Sequence, residues 1–443
     1  MWRLEKDPYL SSTFANVTIL DKPVDAARLR RRMEYATHKV PRLRQRVQPT
    51  PGGLSAPLWV EDPSFDVRYH VRHLALPKPG NRQQLAELAT LLAADPFDRT
   101  RPLWQFIVVD GLRGGKGALI QKLHHTVADG EGSVRLSMQF LDLARDAPEP
   151  ELPAATGTDD EPAADPGAAV REIIAGGLRL PLAVVRQVRD LLAEPARLPE
   201  AGAAAIDTLR GVVSQLSDAD RAHSPLWTAR SLQRHLEMLR FPLDQAKSAA
   251  KALGGTLNTA FMTAAAAAAG AYHRELGEPV EHLRASMAIS TRKAGSGANA
   301  FSLARLLVPA GKMTVGERFT AIAEASGRAR GESATASLET ISAIASTLPT
   351  SVVTRIARQQ AESVDFATSN VRAAVFPCYI GGGLVLENYP IGPLAGVAFN
   401  LTALSYCGSF DMGLHLDPAA VSQPDLLRRC VDDAFTELGA AAG

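Results

Sequence analysis

Cysteine is scarce in this 443-residue chain: Cys378, Cys407 and Cys430 are odd in number and lack metal-type spacing. That argues against a disulfide framework and a cysteine-built zinc site, and points to a reducing, cytoplasmic setting. Long apolar runs are missing too. No window reaches the roughly 18 apolar residues of a membrane span. The start, Met1-Trp2-Arg3-Leu4-Glu5-Lys6-Asp7, is charged where a signal peptide needs an apolar stretch, so neither a span nor secretion is expected. Nor does one sign of charge prevail. Lys+Arg of 48 against Asp+Glu of 47 leaves a formal charge of +1, which speaks against a protein that coats nucleic acid. An anionic ligand would have to be met locally.

What is there suits a large soluble core, with 46% hydrophobic and 21% charged residues. The length exceeds what one core usually serves, so two domains are expected. Residues 146–167 hold five prolines, seven acids and no base, a composition that cannot bury enough apolar surface to order itself. They read as an exposed linker. The expected division is an N-terminal domain over 1–145, the linker over 146–168, a helical connection over 169–220 and a C-terminal domain over 221–443.

Both domains read as α/β layers. Leu85, Leu88 and Leu92 recur at helical spacing, whereas Trp104 to Asp110 and Ala118 to Leu123 look like strands. Helix patterns return from Pro242 to Lys251 and from Asn258 to Arg274, the latter containing the alanine run Ala264 to Ala269. That run leaves a slim surface, suited to close packing or to a narrow tunnel wall. Phe410, Met412, Leu414 and Leu416 alternate with Asp411, Gly413, His415 and Asp417, the period of a half-buried strand. A last helix is expected from Pro424, with Leu427, Val431, Phe435 and Leu438 on one side.

The chemistry concentrates in His124-His125-Thr126-Val127-Ala128-Asp129-Gly130. The strand-like Ala118 to Leu123 runs into it, and Val134, Met138 and Leu141 follow at helical spacing, so the motif spans a strand-to-helix connection. Alternation along the strand sends His124 and His125 to opposite faces, and only one can meet a given substrate. A neutral imidazole suits the removal of a proton from an alcohol as it attacks a thioester. Asp129 either pairs with a distant arginine to fix the loop or bonds the histidine directly, with the structural role preferred. Gly130 permits a positive φ or a close backbone approach.

In this context His-His-x-x-x-Asp-Gly resembles the active-site motif of the chloramphenicol acetyltransferase and condensation-domain superfamily. The resemblance implies that His125, the second histidine, is catalytic, with His124 and Asp129 beside it. Further segments are similar to the bacterial wax ester synthase and diacylglycerol acyltransferase family: Pro102-Leu103-Trp104, Trp59-Val60-Glu61-Asp62-Pro63 with Phe65-Asp66, Tyr389-Pro390-Ile391-Gly392-Pro393, and Asn400 through Gly408. They occur in the family's order across both domains. The resemblance implies two chloramphenicol-acetyltransferase-like α/β domains enclosing a tunnel, with acyl-CoA on one side and a long-chain alcohol or diacylglycerol on the other. No cofactor is implied beyond acyl-CoA as co-substrate. Pro102, Leu103 and Trp104, with Asn258 and Asn370, would line the substrate site, and Arg292, ending Ile289-Ser290-Thr291-Arg292, would be the partner of Asp129.

Two departures stand out. Where the family usually has Asn-Asp this chain has Asn258-Thr259, and where it often has Val-Pro-Gly-Pro this chain has Val371-Arg372-Ala373-Ala374. The second loses the rigid turn that two prolines supply. Eight lysines and arginines lie between Arg28 and Arg46 against one acid, Glu34. A solvated helix face is the preferred explanation, with CoA phosphates or anionic headgroups as the alternative. The amphipathic stretch Val170 to Leu192 would suit peripheral contact with a membrane or lipid droplet, and core packing explains it equally well. Two rival functions keep this sequence in view: a superfamily acyltransferase with another acceptor, and a non-catalytic acyl-CoA or lipid-binding homologue.

Overall fold

Strands with apolar alternation and helices with one apolar face assemble into two sheets in the computed structural model, which describes residues 1–49, 57–152, 224–290, 301–333 and 350–441. The first half runs β1 (Thr13–Leu20), α1 (Ala26–Lys39), β2 (Gln45–Gln48), β3 (Leu58–Glu61), α2 (Val67–His70), β4 (Val71–Ala75), α3 (Arg82–Ala94), β5 (Trp104–Leu112), β6 (Lys116–His124) and α4 (Gly130–Ser137). The second runs β7 (His235–Pro242), α5 (Leu243–Ala252), α6 (Leu257–Glu275), β8 (His282–Ser290), β9 (Phe301–Pro309), α7 (Val315–Ser333), α8 (Thr350–Glu362), β10 (Phe366–Arg372), β11 (Tyr379–Ile380), β12 (Gly383–Ile391), β13 (Phe399–Tyr406), β14 (Ser409–Leu416) and α9 (Pro424–Ala440). The strands and helices expected at 104–110, 118–123, 242–251, 258–274 and from Pro424 are all present. The expected helical connection over 169–220, the stretch Val170 to Leu192 and Arg292 lie outside the described residues.

The first sheet has the order β11-β12-β1-β6-β5-β4 and the second β7-β14-β13-β10-β8-β9. The chain boundary expected at 221 is therefore not the sheet boundary. Tyr379–Ile391 leaves the C-terminal half, and β12 pairs antiparallel with β1 from Ala15↔Ile391 to Leu20↔Val385. The region expected as the C-terminal domain, 221–443, thus lends one strand to the first sheet. Having lent β12 to the other sheet, the chain returns as β13 and β14. β12 then lies across β14, and both faces of β14 are buried rather than one. Two of its polar positions are bonded internally: Asp411 accepts from the Asn388 N–H and the Ser409 hydroxyl, and His415 Nδ1 meets the Gly392 carbonyl at 2.8 Å.

The alanine run serves close packing. α6 is buried nearly all round, and a Cβ on Gly270 would stand 1.9 Å from the Ala310 carbonyl oxygen. Small side chains let the helix sit directly on the second sheet between α7 and α9.

The first residues of the linker are largely exposed and are held to α1 by polar contacts. Arg28 donates to the Arg145 and Ala147 carbonyls, Arg28 and Arg32 both reach Asp142, and Arg31 pairs with Glu149. Arg42 stacks over Trp59 and Arg44 over Phe65. Much of the basic run therefore has partners within the molecule, while all eight side chains keep contact with solvent.

At Gly413 of β14, any side chain would collide with β12, since its Cβ would stand 1.9 Å from the Pro390 carbonyl oxygen. Gly413→Ala should destabilise the fold by about 3 kcal/mol, the upper range of overpacking costs, as read by the urea midpoint.

Candidate active site

β6 ends at His124, paired with Thr13 at the start of β1. The backbone is held past that point, because the His124 N–H donates to Leu103 O at 3.1 Å and the His125 N–H to Ser12 O at 3.0 Å. With the strand geometry maintained, the two imidazoles separate as alternation requires. His124 is wholly buried. Its Nε2 lies 2.9 Å from Glu5 Oε1, and its Nδ1 accepts from the Thr126 N–H at 3.0 Å. Nδ1 is thus occupied and Nε2 lies at ion-pair distance from a carboxylate, so the His124 ring is fixed at the end of β6.

His125 is half-buried on the opposite face, with its ring 4.6 Å from that of Phe14. Burial first, and the neighbouring His124 second, lower its pKa to about 4, against a smaller opposing influence of Asp129. The imidazole is therefore neutral at physiological pH. Four residues back along the same face, about 13 Å at strand rise, Gln121 reaches a cavity between the two halves of the chain. The cavity has a volume of about 80 Å³. Its polar wall is a network in which Gln121 and Asn16 donate to the Thr18 hydroxyl, and Thr18 and Asn16 donate to the Asn388 carbonyl. Val134 and Met138 of α4, with Ile380, Val385 and Leu404 from the second half, supply the apolar wall.

Asp129 is the N-cap of α4, accepting from the Gly132 N–H at 2.6 Å. That is the loop-fixing role, although the expected partner Arg292 is not among the described residues. Gly130 needs no positive φ. Its requirement is the close approach, since a Cβ there would stand 2.9 Å from Val371 Cγ2 on β10. Next to Val371, Asn370 donates to Asn258 Oδ1 at 2.6 Å, so the structure brings these two amides together. Asn258 is not the cap of α6. Thr256 is, and Thr259, standing where the family carries a carboxylate, closes that cap with its own hydroxyl 3.0 Å from that of Thr256. At the other departure the prolines are replaced by continued strand pairing: the Ala373 N–H donates to Ser405 O at 3.0 Å.

Pro102, Leu103 and Trp104 stand apart from the residues that line this cavity. All three are buried; Trp104 stacks on His70 at 4.4 Å and donates its indole N–H to Leu43 O at 2.8 Å. The motif supports the loop through the Leu103 carbonyl, which receives the His124 N–H. Reading the sequence missed Glu5, Ser12, Phe14 and the network of Asn16, Thr18, Gln121 and Asn388. Polar residues on a strand facing an inter-domain seam carry no local signature.

Two family models match the chain: the wax ester synthase/diacylglycerol acyltransferase catalytic domain over residues 9–261 and the WS/DGAT C-terminal domain over 297–439. The chain belongs to the wax ester synthase/diacylglycerol acyltransferase family. A relative from Mycobacterium tuberculosis, provisionally named a diacylglycerol O-acyltransferase, is 32% identical over 454 residues, covering 100% of this chain and 91% of that one. Among solved structures, the wax ester synthase/diacylglycerol acyltransferase of Marinobacter aquaeolei VT8 is similar with a TM-score of 0.66 at 18% identity, covering 98% of this chain and 95% of that one. The first condensation domain of the calcium-dependent antibiotic synthetase reaches a TM-score of 0.62 at 15% identity, covering 100% and 93%. These share the two-domain α/β fold of the chloramphenicol acetyltransferase and condensation-domain superfamily. As a member of the family, the chain is an acyltransferase that joins an acyl donor to an acceptor. No helix among the described residues is long and apolar enough to cross a membrane.

A lowered pKa keeps His125 unprotonated over a wider range than free imidazole. In the family's reaction kcat/KM should stay level from pH 8 to about 5 and fall only as pH approaches the group's value of about 4. An acid limb at the ordinary histidine pKa near 6.5 would contradict the assignment of burial as its cause.

Proposed function

We propose that the chain transfers an acyl group from acyl-CoA to the hydroxyl of a long-chain alcohol or a diacylglycerol, with His125 as general base. The observation that carries this reading is the separation of the two histidines. His124 is closed off by Glu5 and Thr126, while His125 stands neutral on the face that leads to the cavity between the halves. The imidazole of His125 takes the hydroxyl proton, the oxygen forms a bond to the thioester carbonyl carbon, and a tetrahedral intermediate results. Its collapse breaks the carbon–sulfur bond, and the CoA thiolate leaves with the proton returned by the imidazolium.

A base whose pKa lies near 4 cannot strip an alcohol in advance, so proton transfer must accompany carbon–oxygen bond formation. Direct transfer requires no acyl-enzyme. The apolar wall of Val134, Met138 and Leu404 fits a lipid chain, and a water-poor site would suppress thioester hydrolysis. Asn258 and Asn370 are joined one residue from the contact between Gly130 and Val371, where an amide N–H could support the developing oxyanion. No cofactor is needed by this chemistry, and contact with a membrane or lipid droplet would bring the acceptor to the site.

Purified protein with palmitoyl-CoA and a panel containing hexadecanol and dipalmitoylglycerol should release CoA and form ester. His125→Ala should lower kcat by on the order of 100-fold or more, the usual contribution of a positioned base. Tight acyl-CoA binding without turnover by the wild type would instead identify a non-catalytic binding protein.

A further inference from the structure

The amino-terminal segment crosses the end of β6 directly under the histidine pair. Glu5, on the single 3-10 turn Leu4–Lys6, accepts through Oε1 from the Ser12 N–H at 2.8 Å and from the Ser11 hydroxyl at 3.2 Å. The same oxygen lies 2.9 Å from His124 Nε2. On the other side of that ring, Nδ1 accepts from the Thr126 N–H. A backbone N–H can only donate, so Nδ1 carries the lone pair and Nε2, 2.9 Å from the Glu5 carboxylate, carries the proton of the neutral ring. Ser12 is gripped by both of its backbone polar groups: its N–H is bound by Glu5, and its carbonyl receives the N–H of His125.

We propose that Glu5 is a positioning residue for acyl transfer, fixing the direction of the His125 imidazole by holding the Ser12 backbone and the His124 ring in one grip. The proposal rests on the reading of His125 as the base. Two hydrogen-bond donors and the edge of the His124 ring converge on one oxygen, an arrangement that suits an acceptor-only carboxylate. Burial opposes ionisation of Glu5, yet the proximity of the His124 ring, with the bonds from Ser12 and Ser11, brings its carboxyl below the ordinary range. The group is therefore an anion throughout the working pH range.

The turn that carries Glu5 is itself tied down from both halves of the chain. Arg99 stacks over the Trp2 ring and donates to the Trp2 carbonyl. From α8, Arg358 lies 3.4 Å from Asp7 and over the Tyr9 ring at 4.7 Å. Asp7 in turn accepts from the Tyr9 N–H, closing the next turn, Pro8–Leu10. Nothing in this arrangement touches the cavity, so loss of the grip should misdirect the base without removing a substrate contact.

The full-length chain is assayed with palmitoyl-CoA and hexadecanol or dipalmitoylglycerol as wild type, Glu5→Ala, Glu5→Gln, Glu5→Asp and His125→Ala, with kcat, each KM and the thermal midpoint measured for all. Glu5→Ala should lower kcat by on the order of 10- to 100-fold, as a misplacement of about 1 Å does, with both KM values unchanged. Glu5→Gln keeps an acceptor oxygen at the same reach and should recover most of kcat. Glu5→Asp withdraws that oxygen by one methylene while preserving charge and should lose kcat, which keeps the test decisive if the alanine variant does not fold. Full kcat in Glu5→Ala, a change in KM alone, or equal loss in Glu5→Gln and Glu5→Ala would overturn the proposal while an inactive His125→Ala leaves the base assignment standing. An active His125→Ala would overturn both.

Discussion

The last rung of the β1–β6 ladder is the constraint on which the site depends. Thr13 faces His124, and one step on the Ser12 carbonyl holds the His125 N–H, so strand geometry persists through both histidines. Had pairing ended one residue earlier, nothing would oblige the two rings to diverge. Divergence gives each ring a single environment. One is enclosed among hydrogen-bonding partners, and the other is left on a face where burial strips it of its proton.

The second constraint is the exchange of β12. A strand from the C-terminal half completes the first sheet beside β1, bringing Asn388 to the Asn16, Thr18 and Gln121 network and Val385 to the opposite wall of the same cavity. The cavity is therefore made by neither half alone. Gly413 and Gly130 belong to the same design: Gly413 marks where β14 of the second sheet meets β12 of the first, and Gly130 where α4 meets β10, each so closely that a Cβ would intrude. On this fold the motif's glycine is a contact between a helix and the second sheet more than a hinge.

Much of this was legible from residue order. Strand-like apolar runs located β5 and β6, period-two alternation located β14, and the spacing of Leu427, Val431, Phe435 and Leu438 located α9, because such patterns are local properties of the chain. The opposite facing of His124 and His125 followed from the same rule. What escaped depended on distant pairing. The burial of both faces of β14 requires knowing that β12 crosses it, and the Tyr389–Pro393 segment was recognisable without disclosing that it ends an exchanged strand. Pro102-Leu103-Trp104 was read toward substrate because the motif resembles the family's, yet the indole packs on His70, which sequence places 34 residues away. Glu5 was invisible for a related reason: an acid in a charged start looks solvated until it meets His124.

The separation of duties between the two histidines is best measured by comparing His124→Asn with His125→Asn, each verified as folded by its thermal midpoint, in single-turnover ester formation at neutral pH. The account predicts that His124→Asn, whose amide oxygen can still receive the Thr126 N–H, retains a measurable rate, whereas His125→Asn loses on the order of 100-fold or more. The reverse order, with His124→Asn silent and His125→Asn active while both remain folded, would contradict it.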